Sequence, residues 1–219
     1  QNHFTRLLMP HSAGIHFDVD TPAEILFLKL LPNLKPRTRK AVDAMPWTTQ
    51  TLERAWEVLK TRGRIPSVWI SGRVGAPLIA HFNLHISARL RIVSEERGMK
   101  AMGLEDSGKV RSFIGSYIEE VGAEAFFQWV SESASVAFLD TRPIFAHMQI
   151  QPSDHDRFNS DLGNWQAIKA PFIREFTKAA LEAPIPVVLG GHTLVLGGLW
   201  VIIDDIHQER ALRRQQKGD

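Results

Sequence analysis

Two carboxylates two residues apart, Asp18 and Asp20, are the first residues in this chain whose spacing suggests chemistry. If residues 15–20 form a short strand, Ile15, Phe17 and Val19 take one face and His16, Asp18 and Asp20 the other. A face of that kind can hold a divalent cation once another oxygen ligand arrives. The ion would then serve phosphoryl transfer or phosphodiester cleavage. The plainer and preferred role is that both aspartates lead the chain into a helix as solvent-facing and capping groups. His85 is the other catalytic candidate, two residues before Ser87 on a polar face. A third group, Asp154, His155, Asp156 and Asp161, could also bind a cation. Its spacing departs from the twelve-residue calcium loop, so turn formation is its default role.

Charge carries a different expectation. Between residues 29 and 64 there are nine basic side chains against three acidic ones, whereas the whole chain of 219 residues has a formal charge of +2. A local excess of that sign on helices is what neutralising phosphates requires. Arg37, Arg39, Lys40, Arg54, Arg62, Arg64 and Arg73 would contact the backbone of DNA or RNA, with Gln50 and Thr51 as polar readers. Glu57 on the same helical stripe counts against direct base contact, because a carboxylate is repelled by phosphate. The plain alternative is a solvated basic face.

Three short resemblances accompany these residues. Phe17-Asp18-Val19-Asp20 resembles the Asp-x-Asp motif of primase-polymerases over four residues; that family also needs a histidine and a later aspartate, for which His81 or His85 and Asp140 or Asp204 are the available residues. Haloacid-dehalogenase phosphatases carry Asp-x-Asp-x-Thr, from which Thr21 departs by one position. His85-Ile86-Ser87 is similar to the His-x-Ser of two-histidine phosphoesterases, but His147-Met148-Gln149 lacks the second hydroxyl.

The elements that must position these groups follow from periodicity. Residues 21–31 open with Thr21 and Glu24 in a capping box, Pro22 at the first helical position, and an apolar run that predicts a buried helix. Pro36 opens a second helix over 36–44. Leu52, Ala55, Trp56 and Leu59 give one face to a third, over 48–61. An extended segment follows at 68–70 and a long strand at 78–92, where Phe82, Leu84, Ile86, Ala88, Leu90 and Ile92 alternate with polar residues. That order predicts a winged helix-turn-helix with Gly72-Arg73-Val74-Gly75 as the wing tip. On such a strand His81 and His85 would stand about 13 Å apart, too far to share a metal.

Beyond residue 94 the pattern predicts a helix over 95–104, a strong one over 110–121, and strands at 136–139 and 144–150. The polar stretch 151–164 reads as a break, followed by a helix over 165–182 that Pro171 kinks or restarts. The apolar run 185–203 approaches membrane-spanning length, but Gly190-Gly191 and Gly197-Gly198 divide it, predicting buried strands at 187–189, 193–196 and 199–203 and no membrane span. A polar helix closes the chain over 204–217. The expected architecture is α+β: an arm and short strand over 1–20, a basic helical unit over 21–93, then helices and an antiparallel sheet over 94–219.

Hydrophobic content of 44% and charged content of 23% suit a globular chain, and the absence of cysteine excludes disulfides and thiolate sites. With no signal-peptide pattern, the expected location is the cytoplasm or another reducing compartment. Nucleic-acid binding leads among the functions. A metal-dependent phosphoryl-transfer or phosphodiester enzyme using a divalent cation is the alternative, and an assembly protein associating through its C-terminal strands is the third.

Overall fold

A computed structural model describes residues 17–61 and 63–217. Its framework is set by three short runs that are apolar on both faces: Val68-Trp69-Ile70, Val136-Ala137-Phe138-Leu139 and Val187-Val188-Leu189. A strand with no polar face must be covered on both sides, which is the condition of a parallel sheet between helical layers.

Chain order is α1 (Pro22–Leu30), α2 (Pro36–Asp43), α3 (Gln50–Lys60), β1 (Ser67–Gly72), α4 (Ala76–His85), β2 (Arg89–Ser94), α5 (Phe113–Val121) and α6 (Ala123–Ser133). Then come β3 (Val136–Asp140), α7 (Arg142–His147), α8 (Asp154–Asp161), a 3₁₀ turn (Trp165–Ala167), α9 (Pro171–Glu182), β4 (Val187–Gly190), a wide helical turn (Leu194–Gly198) and α10 (Leu199–Lys217). The four strands lie in the order β2-β1-β3-β4, and all pairs are parallel. Gly72 aligns with Ser94, Ser71 with Leu139, and Asp140 with Gly190. The carboxyl ends of the strands therefore share one edge.

Two cores flank the sheet. On one face Val68, Ile70, Val136 and Phe138 meet Phe27, Leu52, Trp56, Leu78, Phe82, Trp200 and Ile203, so α1, α3, α4 and α10 form that layer. On the other, Trp69, Ala137, Leu139, Val187 and Leu189 meet Ile114, Ile118, Phe127, Phe145, Ile173 and Phe176 from α5, α6, α7 and α9. The first core draws on residues before and after residue 94, and β1 and β2 share one sheet with β3 and β4.

Mixed helix and strand is as expected, and α1, α2 and α3 fall where the sequence places them. The Glu24 carboxylate accepts from the Thr21 N–H at 2.6 Å and its hydroxyl at 2.5 Å, which closes the α1 entry. Burial pushes the Glu24 carboxyl up, against the pull of those two bonds.

The expected antiparallel sheet and helix-turn-helix are corrected. Residues 78–92 are not one strand: 76–85 are helical and only 89–94 extended. Leu78 and Phe82, four apart, are both fully buried, whereas Leu84, which alternation would bury, is 76% exposed. The helical period won because Pro77 lies in the first turn of α4, where its missing N–H costs nothing. The loop 72–75 consequently joins β1 to a helix and is not a wing. Residues 144–147 belong to α7 and 194–203 to the wide turn and α10, so the strand expected at 144–150 and two of the three C-terminal ones offered for self-association, 193–196 and 199–203, are not formed, whereas 187–189 is strand β4 as expected. A segment buried all round shows no period that separates helix from strand. Residues 95–104 form turns instead of a helix, and 154–161 are helical, with Ser153 accepting from the Asp156 N–H. Pro171 opens α9 as a restart. Among the described residues no helix is long and apolar enough to cross a membrane.

Candidate functional site

The crossover from β1 passes through α4 to β2 on one side, and the next passes through α5 and α6 to β3 on the other side. Loops leaving β1 and β3 therefore diverge, and open parallel sheets take their ligands in the crevice this creates at the carboxyl edge. Strands β1, β3 and β4 end there in polar or glycine residues: Gly72-Arg73, Asp140-Thr141-Arg142 and Gly190-Gly191-His192.

Asp140 is the centre of the edge. Its side chain is 0% exposed. Its carboxylate accepts from Arg73 Nε at 2.6 Å and Nη2 at 3.0 Å, and from the backbone N–H groups of Arg73 and Arg142, both at 3.2 Å. The Arg73 guanidinium thus spans the crevice between β1 and β3. The fit depends on Gly72, whose φ is +114° and whose added Cβ would lie 2.3 Å from the Asp140 Cβ. The loop is held from the other side by the Glu95 N–H to the Gly72 carbonyl at 2.7 Å and the Ser94 hydroxyl to the Val74 carbonyl at 2.9 Å.

A second arginine is positioned in the same way. Arg142 donates to Asp161 Oδ1 at 3.1 Å and Oδ2 at 2.5 Å, and to the Thr141 hydroxyl at 2.9 Å. Burial pushes the Asp161 carboxyl up, and the Arg142 charge opposes it. The Arg142 guanidinium lies within 4 Å of where a Gly191 Cβ would stand, so β4's exit passes against it. His192 follows. Burial and then the Arg73 charge hold its imidazole below the usual range, with Asp140 acting the other way and Arg97 adding to the depression. A neutral ring results, and its Nε2 is buried without a hydrogen-bond partner, as is the Ser71 hydroxyl at the end of β1. Arg97 is exposed, has no ion pair among the described residues, and brings Nη1 to within 2.9 Å of a Cβ built on Gly75.

The edge therefore offers arginines on rigid carboxylate mounts, one further guanidinium, a neutral histidine, and a glycine-flanked loop that runs into the ten-residue helix α4. In the first turn of α4, Pro77 carries no N–H and the Leu78 and Ile79 N–H groups donate to the Gly75 carbonyl, which leaves the N–H of Ala76. Guanidinium groups are complementary to anions.

Most of the residues singled out by sequence are elsewhere. Among the described nucleic-acid candidates only Arg73 reaches this edge. Arg39 donates to the carbonyls of Lys29 and Leu31 and to Asp43, so it closes the α1–α2 corner. Arg37, Lys40, Arg54 and Arg64 are exposed with no hydrogen bond or ion pair among the described residues; Gln50 is exposed and Thr51 half-buried. Arg62 and His16 lie outside the described residues. Asp18 and Asp20 are exposed, and 17–20 form no strand. Among the described residues no group of three or more His, Asp and Glu is spaced to enclose a metal ion. In the 154–161 segment each acid is engaged: Asp154 with Arg157, Asp156 with the N–H groups of Lys169 and Ala170, and Asp161 with Arg142. His81 and His85 face each other on α4 with ring centroids 4.6 Å apart, correcting the strand-based separation.

Architecture and edge together define a class, a parallel sheet between two helical layers with its polar groups gathered at the strands' carboxyl ends. Comparison with family models, curated proteins and solved structures gives no match, so the class stands on geometry alone.

Proposed function

We propose that the protein binds a small phosphate-bearing ligand of nucleotide type at the carboxyl edge of its sheet. The observation that supports this is the Gly72–Gly75 loop at the β1/β3 divergence, braced by Asp140 and flanked by Arg73, Arg97 and Arg142. Phosphate is the anion that a glycine loop, a helix start and guanidinium groups serve together. Arg97 is the one of the three with no carboxylate partner among the described residues, which makes it the group available to the ligand. The test is calorimetry with mononucleotides, dinucleotides and inorganic phosphate. Saturable binding is expected, weakened about tenfold or more by Arg97→Gln, as the loss of one charge-assisted contact implies. No heat with any of these at millimolar concentration refutes the reading.

A second reading keeps nucleic acid as the partner, supported by the exposed and unpaired Arg37, Lys40 and Arg54. Charge reversal at Arg37, Arg39 and Lys40 would then weaken binding to DNA or RNA, and affinity would fall steeply with salt. Salt-independent binding in a mobility shift rules it out.

A further inference from the structure

Away from the sheet edge, α4 and α10 bring together a group of side chains that the proposed ligand site does not use. His81 Nε2 is 2.8 Å from Asp204 Oδ1, and its ring stacks on Trp200 with centroids 4.0 Å apart. One helical turn further along each helix, His85 Nδ1 lies 3.1 Å from His207 Nδ1. Two like ring nitrogens at that separation cannot both carry a proton toward each other. At least one must present a lone pair, so with a proton on the other the contact is an N–H···N hydrogen bond, and with neither protonated there both lone pairs are free.

We propose that His85 and His207 chelate one late first-row divalent metal ion, of the Zn²⁺ or Ni²⁺ type, through their Nδ1 atoms, with solvent completing its coordination. Tetrahedral zinc with bonds of about 2.0–2.1 Å places two nitrogens roughly 3.3 Å apart. The observed 3.1 Å needs only a small opening of the two rings. Imidazole selects zinc, nickel and copper over magnesium and calcium, which prefer oxygen.

The surroundings suit an open, two-ligand site. His207 is exposed and His85 half-buried, so an ion can enter from solvent. Asp204 adds negative charge beside the pair while fixing the His81 ring. Arg210 donates to the His85 carbonyl at 3.1 Å and also reaches the Leu59 carbonyl, so its guanidinium is directed at backbone. Two protein ligands fall below the three that would enclose an ion, which agrees with the absence of any enclosed site among the described residues. The bound ion would pin α10 to the C-terminal turn of α4.

The experiment uses the full chain without a histidine tag. Calorimetry with ZnCl₂ and NiCl₂ should give one ion per chain. At a hundredfold excess of free metal over its Kd the Tm should rise by roughly 5–10 °C. His207→Ala, a change at an exposed position, should lower affinity at least tenfold, and His85→Gln should do the same. His147→Ala, at a histidine that bonds Ser112 and Glu119 on the other face of the sheet, should leave it unchanged. Circular dichroism confirms that each variant folds. No metal binding by the parent chain, or undiminished binding by both His207→Ala and His85→Gln, overturns the proposal.

Discussion

Removing Arg73 while keeping Asp140 should be among the most damaging single changes at the sheet edge. The Asp140 side chain is 0% exposed and that of Arg73 22%. Arg73→Ala therefore strands a carboxylate that cannot reach water, whereas Asp140→Ala frees a guanidinium that can swing outward. Breaking a buried pair from one side costs about 3–5 kcal/mol. The reverse change leaves the backbone N–H groups of Arg73 and Arg142 without their acceptor. That costs about 1–3 kcal/mol for each one kept from water. The double variant should recover part of the sum, with a coupling energy of about 1–3 kcal/mol. Urea unfolding followed by far-ultraviolet circular dichroism measures all three, and Arg73→Ala should lower Tm by about 6–20 °C. If Arg73→Ala costs less than about 1 kcal/mol with an unchanged urea slope, the crevice is not held by this pair.

Other outcomes follow from the same geometry. Gly72→Ala combines a positive φ with a 2.3 Å approach to the Asp140 Cβ; it should cost about 3 kcal/mol or more. Gly63→Ala, with φ +79° and nothing within 4 Å, should cost about 1–2 kcal/mol; equal losses in thermal melts would dismiss the contact with Asp140. The imidazole of His192 is held below its unfolded value of 6.5. The unfolded chain therefore takes up a proton before the folded one, so stability is full above that value and falls as pH drops through and below it. His192→Gln should flatten Tm against pH over that acid range, and an unaltered slope would show that the ring is solvated.

How much of this was legible in the sequence depended on what kind of signal each segment carries. The first three helices were readable because their starts are chemical, Pro22 after Thr21 and Pro36 after Lys35, and their faces periodic. Strand 68–70 was visible as an apolar run, but its partners were not, since strand direction is set by crossovers that no local pattern encodes. Residues 78–92 satisfied periods of two and of 3.6 at once, and burial of Leu78 and Phe82 decided between them. The site was missed for a related reason. Asp140, Arg142, Asp161 and His192 are scattered over more than fifty positions, and only a parallel sheet brings strand ends to one edge. A signal did exist: each fully apolar run is followed directly by Ser-Gly-Arg, Asp-Thr-Arg or Gly-Gly-His. Basic-residue counting points instead to the first three helices, where Lys29 of α1 and Arg39 of α2 bond backbone carbonyls.

Strand β2 lies at the end of the sheet order and, among the described residues, pairs only with β1. Its outer N–H and carbonyl groups are a template onto which another extended chain could add. Arg89 and Arg91 project from this strand as exposed cations, separated by Leu90. Arg91 turns back onto the Ser67 hydroxyl of β1, so the charge of Arg89 is the one that would repel a second copy approaching this rim.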